Sequence, residues 1–167
     1  MRSGRHCRCE PGDNLALHAL VALAPAGAVL VCDAGGDEEH GYFGELLALD
    51  ARGRGLAGLV IDGAVRDSAA IVTTGFPVFH RGTAPAPCAK SAVASVGAPI
   101  AIGDVAITPG DVVVADSDAV LVVAASDWPS VRERVDELEA KEDELRRALE
   151  RGERLADLLG LELEAAR

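Results

Sequence analysis

The stretch AVLVCDAGGDEEHGYFGELLALDARGRGLAGLVIDGAVRD, Ala28 to Asp67, decides the fold. Ala28 to Asp33 is an apolar run of strand length with turn residues on both sides, the pattern of a strand buried in a parallel sheet. Ala57 to Asp62 has the same character, and the chain turns at Gly63. Between them the glycines and acids from Gly35 onward read as a loop, followed by a short helix from Gly44 to Gly53. A helical crossover makes the two strands parallel and the connection right-handed. The result is one βαβ unit with its chemistry at the strand ends. Glu45 stands at the start of the helix, and twenty residues later the pair Arg66-Asp67 follows the second strand. Ligands of open parallel sheets bind beyond the carboxyl ends of the strands, which is where Gly35 to Glu45 and Arg66-Asp67 fall. Acid, guanidinium and acid together suit a hard metal ion and a small anionic substrate.

On the amino-terminal side, Asp13 is a cap for a helix from Asn14 to about Ala24, whose apolar side is Leu15, Ala19 and Ala22 and whose end is Pro25-Ala26-Gly27. On the other side, a helical turn through Ile71 leads to Gly75, and Pro77 to Arg81 reads as a short strand. From Ala92 the pattern changes. Segments near Ala98 to Ile102, Asp104 to Ile107, Asp111 to Ala115 and Ala119 to Ala124 alternate with turn residues, as short β-strands do. Pro129 to about Arg151 is a helix dense in Glu, Lys and Arg. Val131, Leu138 and Leu145 recur every seven residues, and Glu142 sits in the middle of a companion row that contains Val135 and Leu149. A carboxylate there either pairs with Arg146 one turn on or points into a site at a subunit boundary; the pattern alone leaves both open. The chain divides into a domain of residues 1–128 and a helical extension of residues 129–167.

With 167 residues, 49% of them apolar, and a mean hydropathy of +0.19, the chain holds one domain with a true core. Aromatics are 3%, so aliphatic side chains must fill that core. A net charge of −11 repels phosphate backbones and argues against nucleic-acid binding. Neither a cationic leader with a long apolar stretch nor a run of eighteen apolar residues occurs, so the expectation is a cytoplasmic protein without a membrane span. Of the four cysteines, Cys32 lies in the apolar strand and reads as a small buried hydrophobe. Cys7 and Cys9 beside His6 are one residue apart, where a zinc pair wants two to four and a second pair elsewhere. His18, His40 and His80 read as surface or core residues, and Asp33 and Asp37 as shaping the loop.

GDNLALH (Gly12 to His18), VCDAGGD (Val31 to Asp37), GELL (Gly44 to Leu47), VIDGAVRD (Val60 to Asp67), GFPVFHRGT (Gly75 to Thr83), PGDVVVAD (Pro109 to Asp116) and the charged helix around Lys141-Glu142 together resemble the RraA-like family, which includes 4-hydroxy-4-methyl-2-oxoglutarate aldolases. So many ordered matches are more specific than any one short motif. The resemblance implies an α/β fold of the swivelling β/β/α, phosphohistidine-domain-like kind with a long C-terminal helix, assembled as a homotrimer. It also implies retro-aldol cleavage to two pyruvates, with oxaloacetate decarboxylation as a side activity, and it favours the subunit-boundary role for Glu142. Family members carry a further segment before the GDN stretch, so this chain is expected to lack the N-terminal part of the fold. They more often have glycine where Ala119 stands in Asp118-Ala119-Val120.

Within that frame the residues divide the work. Gly44, Glu45, Leu46 and Leu47 open a helix whose free amides and positive end can hold a carboxylate. Arg66 can grip the same anion with two parallel hydrogen bonds. Asp67 is the candidate ligand for Mg²⁺ or Mn²⁺, which take one or two protein carboxylates and leave the other positions to water and substrate. Glu45 would hold such waters, one of which is the candidate base, and Glu142 would serve as a further acid or base. Taken singly, each has a plainer reading: Asp67 as a helix cap, Glu45 as a helix-start residue. The alternative function is that of RraA regulators, which bind and inhibit a ribonuclease and can carry a neutral residue in place of Asp67. A methyltransferase reading lacks any G-x-G-x-x-G fingerprint after a strand.

Overall fold

The computed structural model describes residues 2–161, and the chain divides after Ala125 into two compact units. The first unit runs β1 (Arg2–Arg8), α1 (Leu15–Leu23), β2 (Val29–Phe43), α2 (Glu45–Gly53), β3 (Gly58–Val65), α3 (Ser68–Thr74), β4 (Val78–Thr83), β5 (Ala86–Pro87), β6 (Ser95–Val96), β7 (Ile100–Ile102), β8 (Val105–Ile107), β9 (Val112–Ala115) and β10 (Val120–Val123). The main sheet has the order β10-β9-β1-β2-β3-β4, with β5 on β2 and β6 on β1. Strands β1 to β4 are parallel, and β9 and β10 join antiparallel. β7 and β8 form a separate hairpin.

Strand alternation separates two apolar faces. Cys7, Leu30, Cys32, Leu59 and Ile61 face Leu17, Leu20 and Val21 of α1, Ala48 and Ala51 of α2 and Ile71 of α3. On the opposite face Val31 and Val113 meet Ile100 and Ile107 of the hairpin. Helices, sheet and hairpin are therefore three layers, the mixed α/β, β/β/α architecture that the resemblance implies. The few aromatics are placed where they fill most: Tyr42 and Phe43 are fully buried, and Phe43 stacks on Phe76 with ring centroids 6.0 Å apart.

The structure adds to the sequence reading at three places, the first of them a correction. The segment from Gly35 is not a loop that ends the strand: β2 continues through it to Phe43, with register shifts against β3 between Asp33 and Asp37, Asp37 and Gly41, and Gly41 and Phe43. Gly35 and Gly36 take positive φ there, so the glycines accommodate bulges within the strand. The first residues are also a strand, unread because RSGRHCR lacks an apolar run. β1 pairs with β2 on one side and with β9 and β6 on the other, in the interior of the sheet. Finally, Ala119 needs no positive φ. Among the described residues only Asp67 adopts one without being glycine, and Asp116 Oδ1 satisfies the Asp118 and Ala119 amides.

The second unit contains α4 (Trp128–Glu150), which starts with a proline in its first turn, and α5 (Leu155–Leu158). Among the described residues no helix is long and apolar enough to cross a membrane.

His6 is fully buried beside Val31, its register partner, and neither ring nitrogen has a hydrogen-bond partner in the chain. Burial lowers its pKa from 6.5, against the pull of Asp111; burial also lowers that of His18. The unfolded chain thus binds more protons than the native one just below pH 6.5, and stability must fall with pH in that window. A second loss is expected as pH drops from 3.8 toward about 2, where Asp13 and Asp37, both held down to about 2, take up protons. Urea midpoints measured from pH 7.5 to 5.5 should decline for the wild type. The decline should be smaller for His6→Leu and smallest when His18→Gln is added; a wild-type midpoint that stays flat contradicts the assignment.

Candidate functional site

The site is built where β2 and β3 end side by side. The Arg66 amide donates to the Phe43 carbonyl at 2.9 Å, and the Ala84 amide donates to the Val65 carbonyl at 2.9 Å, so the three strand ends are laced together. Gly44 follows Phe43 in an extended conformation and starts α2, whose first i→i−4 bond runs from the Ala48 amide to the Gly44 carbonyl at 3.0 Å. The amides of Glu45, Leu46 and Leu47 consequently have no intrahelical acceptor and point out of the helix start. Leu46 is 78% exposed, whereas Leu47 is partly buried against the helix-side core. Any contribution of these two to binding an anion comes from their amides.

Arg66 and Asp67 stand over this helix start. The Arg66 Nε lies 3.6 Å from Asp67 Oδ2, and both side chains remain nearly half exposed. A Cβ added to Gly44 would lie 2.8 Å from Asp67 Oδ2 and 3.2 Å from Arg66 Nε, so a side chain there would push the ends of this pair out of their present positions. Gly41 has the same function one step earlier: its Cβ would lie 2.7 Å from Arg66 Cβ and 2.6 Å from the Ala84 carbonyl. That glycine was not singled out from sequence, where it looks like one more loop residue.

Asp67 itself has φ 56 and ψ 34, the left-handed region, and its carboxylate makes no capping hydrogen bond. Asp67 is the N-cap residue of α3, as its plainer reading has it, but its carboxylate takes no part in the cap; only its carbonyl enters the helix, accepting from the Ile71 amide at 2.9 Å. A left-handed non-glycine residue costs about 1–2 kcal/mol, less for Asp, and such residues cluster at ligand sites. Among the described residues, neither the Asp67 carboxylate nor the Arg66 guanidinium makes a hydrogen bond, so both are free to engage a ligand.

Glu45 is exposed in the first turn of α2. Glu142 lies in the second unit, where it accepts from Arg146 Nη2 at 3.0 Å, the ion pair that was one of its two readings. Gly44, Arg66 and Asp67 are thus brought together, Glu45 is their chain neighbour, and Glu142 belongs to a separate helix.

Behind the site lies a network missed from sequence. Tyr42 Oη accepts from the Gly12 amide at 2.8 Å and donates to Asp37 Oδ2 at 2.8 Å, and His40 Nδ1 lies 2.9 Å from the same oxygen. Burial works to raise the Asp37 pKa, but amide donation from Glu39, then Tyr42 and His40, outweighs it. Asp37 Oδ1 also accepts from the Glu39 and His40 amides, and Asp33 Oδ1 from the Gly35 amide. These two aspartates shape the bulged part of β2, as expected.

A cleft of about 710 Å³ lies instead on the hairpin side of the sheet, lined by Val60, Phe79, Ile102, Val113 and Leu121. Of its three acids, Asp62 pairs with Arg81, Asp116 is bound to backbone amides, and Asp118 lies 3.4 Å from the Ser117 hydroxyl. Gly44, Arg66 and Asp67 lie outside it, and on this chain the Arg66 and Asp67 side chains sit at an open surface.

Comparison with known proteins identifies the family of the chain. The family pattern described as "RraA-like: Aldolase/RraA" matches residues 6–122. A protein of Halalkalibacterium halodurans named "Putative 4-hydroxy-4-methyl-2-oxoglutarate aldolase" is 36% identical over 145 residues, which are 87% of this chain and 69% of the relative. An uncharacterised protein of Methanocaldococcus jannaschii is 32% identical over 76% of this chain but only 61% of its own length, so the chain spans about two thirds of these curated relatives. Among solved structures, a Streptomyces coelicolor protein described as an unusual member of the RNase ES inhibitor RraA family superposes with a TM-score of 0.78 at 31% identity, covering 87% of this chain and 75% of that one. Pattern, identity and superposition converge, and the chain belongs to the RraA-like family.

Proposed function

We propose that this chain is a divalent-metal-dependent lyase that cleaves 4-hydroxy-4-methyl-2-oxoglutarate to two pyruvates and decarboxylates oxaloacetate as a side reaction, acting as a homotrimer. The observation that carries this reading is the Asp67 carboxylate, held in a strained left-handed conformation, free of hydrogen bonds and set against Arg66 over Gly44. An accessible carboxylate that accepts no hydrogen bond, beside a space that a single Cβ would fill, fits a hard cation that needs one protein ligand and keeps the rest of its shell for water and substrate. Mg²⁺ or Mn²⁺ held there would supply Lewis-acid polarisation of the substrate keto group.

The chain's own groups supply the remainder. Amides at the start of α2 and the Arg66 guanidinium receive the carboxylates of the 2-oxo acid. Removal of the C4 hydroxyl proton lets the C3–C4 bond break: C4 becomes the keto carbon of one pyruvate, and the electron pair passes into the enolate of the other. Arg66 lies where that enolate charge develops, and a fixed guanidinium needs no reorganisation to stabilise it. Glu45 holds the water that accepts the hydroxyl proton, and protonation of the enolate at C3 completes the turnover. Because the site is open on one chain, a neighbouring subunit is required to exclude water from it. Glu142 of that neighbour is the proposed further acid or base, which requires it to leave its pairing with Arg146.

The second reading is a ribonuclease-binding regulator. It is favoured by the Streptomyces coelicolor relative and by an RNA-processing inhibitor RraA from Thermus, which superposes with a TM-score of 0.70 at 29% identity and covers 74% of each chain.

Pyruvate release from both substrates separates the two. With Mg²⁺ present, turnover should be abolished by EDTA and restored by added ion. Asp67→Asn keeps a side chain that tolerates the left-handed backbone, so it should leave the unfolding midpoint unchanged yet lower kcat/KM by about 100-fold or more. Gly44→Ala should displace the Asp67–Arg66 pair and lower kcat/KM by roughly 10- to 100-fold, as misplacement of about 1 Å does. Turnover indifferent to chelator, or undiminished in Asp67→Asn, rejects the lyase mechanism. A folded protein with no turnover that binds a ribonuclease tightly establishes the regulator.

A further inference from the structure

The helix-facing side of the sheet carries three thiols that the proposed reaction does not use. Cys7 pairs with Cys32 across the parallel β1–β2 ladder, and Cys9, two residues beyond Cys7, continues along the same face. Their three sulfurs all lie within 4.8 Å of one another, with Cys9 Sγ and Cys32 Sγ 3.6 Å apart. Relative exposure is 0% for Cys7, 5% for Cys9 and 0% for Cys32. None is in a disulfide.

We propose that Cys7, Cys9 and Cys32 form a closed, three-coordinate site for a soft d¹⁰ metal ion of the Cu(I) type, separate from the surface at Asp67. The geometry suits it. A metal–sulfur bond of about 2.3 Å sets three coplanar thiolates about 4 Å apart, within the span these sulfurs already occupy. Thiolate ligands select soft ions over Mg²⁺ and Mn²⁺, so the two sites do not compete for one metal. Thiolates buried in an apolar core are costly unless a cation is bound to them, so the ion enters as the thiol protons leave to solvent. Asp13 near Cys9 and Asp33 near Cys7 add to the attraction for a cation.

Two other readings account for less. Three small hydrophobes would need no convergence of their sulfurs. A Cys9–Cys32 disulfide would leave Cys7 without a role at the same point. Zn²⁺ takes four ligands, and the site is too dry for water to be the fourth. The remaining thiol, Cys88, is buried in the same core but outside the trio, which makes it the internal control.

The test is a Cu(I) titration of the full-length chain, anaerobic and reduced, against a chromophoric Cu(I) competitor. It is run on the protein as purified and after refolding with one equivalent of Cu(I). Expected are one tightly held ion per chain, a thiolate-to-metal charge-transfer band, and three sulfur neighbours by X-ray absorption on the wild-type protein. The last measurement does not depend on any variant folding. Cys9→Ala, checked for folding by circular dichroism, should lose at least nine-tenths of the bound ion, whereas Cys88→Ala should keep it. No stoichiometric uptake by the folded wild type, retention in Cys9→Ala, or preferential Zn²⁺ binding that requires Cys88 would each overturn the site.

Discussion

The hydrogen bond from the Arg66 amide to the Phe43 carbonyl is the constraint on which the site depends. It brings the end of β3 level with the end of β2 even though β2 contains the bulged segment from Asp33 to Phe43 opposite the short run from Asp62 to Val65. The extra residues of β2 must be absorbed, and Asp37 absorbs them by gathering the Glu39 and His40 amides, the Tyr42 hydroxyl and the His40 ring on one carboxylate. With the strand ends level, the start of α2 and the Arg66-Asp67 turn have to share one small volume. Gly44 and Gly41 permit this because both lack the carbon that would collide there. Sheet register, two glycines and a partly buried aspartate therefore act as one device for placing a guanidinium and a carboxylate over a helix start.

The placement has a local cost, met by the layers around it. Asp67 stays in the left-handed region because Ile71 hydrogen-bonds to its carbonyl on one side and the strand-end lacing fixes Arg66 on the other. Beneath, Val65, Ala64 and Phe43 are fully buried, so the turn rests on packed rather than yielding structure. Strain persists where its surroundings are over-determined, and here the sheet, the α2 start and α3 all bear on the same residue.

Much of this was legible in the sequence, and the reasons differ by element. The apolar runs near Ala28 and Ala57 are strands because an unbroken run can be buried on both faces, and the helix between them follows from its length and from Gly44. The turn-punctuated segments after Ala92 became β7 to β10. β1 was illegible because arginines and a histidine interrupt it: Arg5 and Arg8 reach solvent while His6 and Cys7 turn inward, and no period distinguishes that from a polar tail. Its loss concealed the convergence of Cys7, Cys9 and Cys32, which needs β1 beside β2. At the site, Arg66 and Asp67 were visible from residue type and position. The left-handed backbone of Asp67 was not, since sequence offers Asp after a strand mainly as a side-chain cap. Glu142 stood between two readings because a helix-surface acid one turn before an arginine forms an ion pair whatever else it does.

Electrostatics narrows what the surface at Asp67 can do. With a net charge of −11 the chain's long-range field opposes a dicarboxylate and favours a cation. At physiological ionic strength that field is screened beyond about 8 Å, so the groups in immediate contact decide whether an anion stays. The positive groups placed there are the Arg66 guanidinium and the amides of α2, and Asp67 partly offsets them when it has no cation of its own. Under the proposed reading, a divalent ion at Asp67 reverses that balance: a site that is close to neutral becomes positive enough to hold a 2-oxo acid. Ion and substrate then bind cooperatively, because each supplies the charge that the other's binding leaves uncompensated.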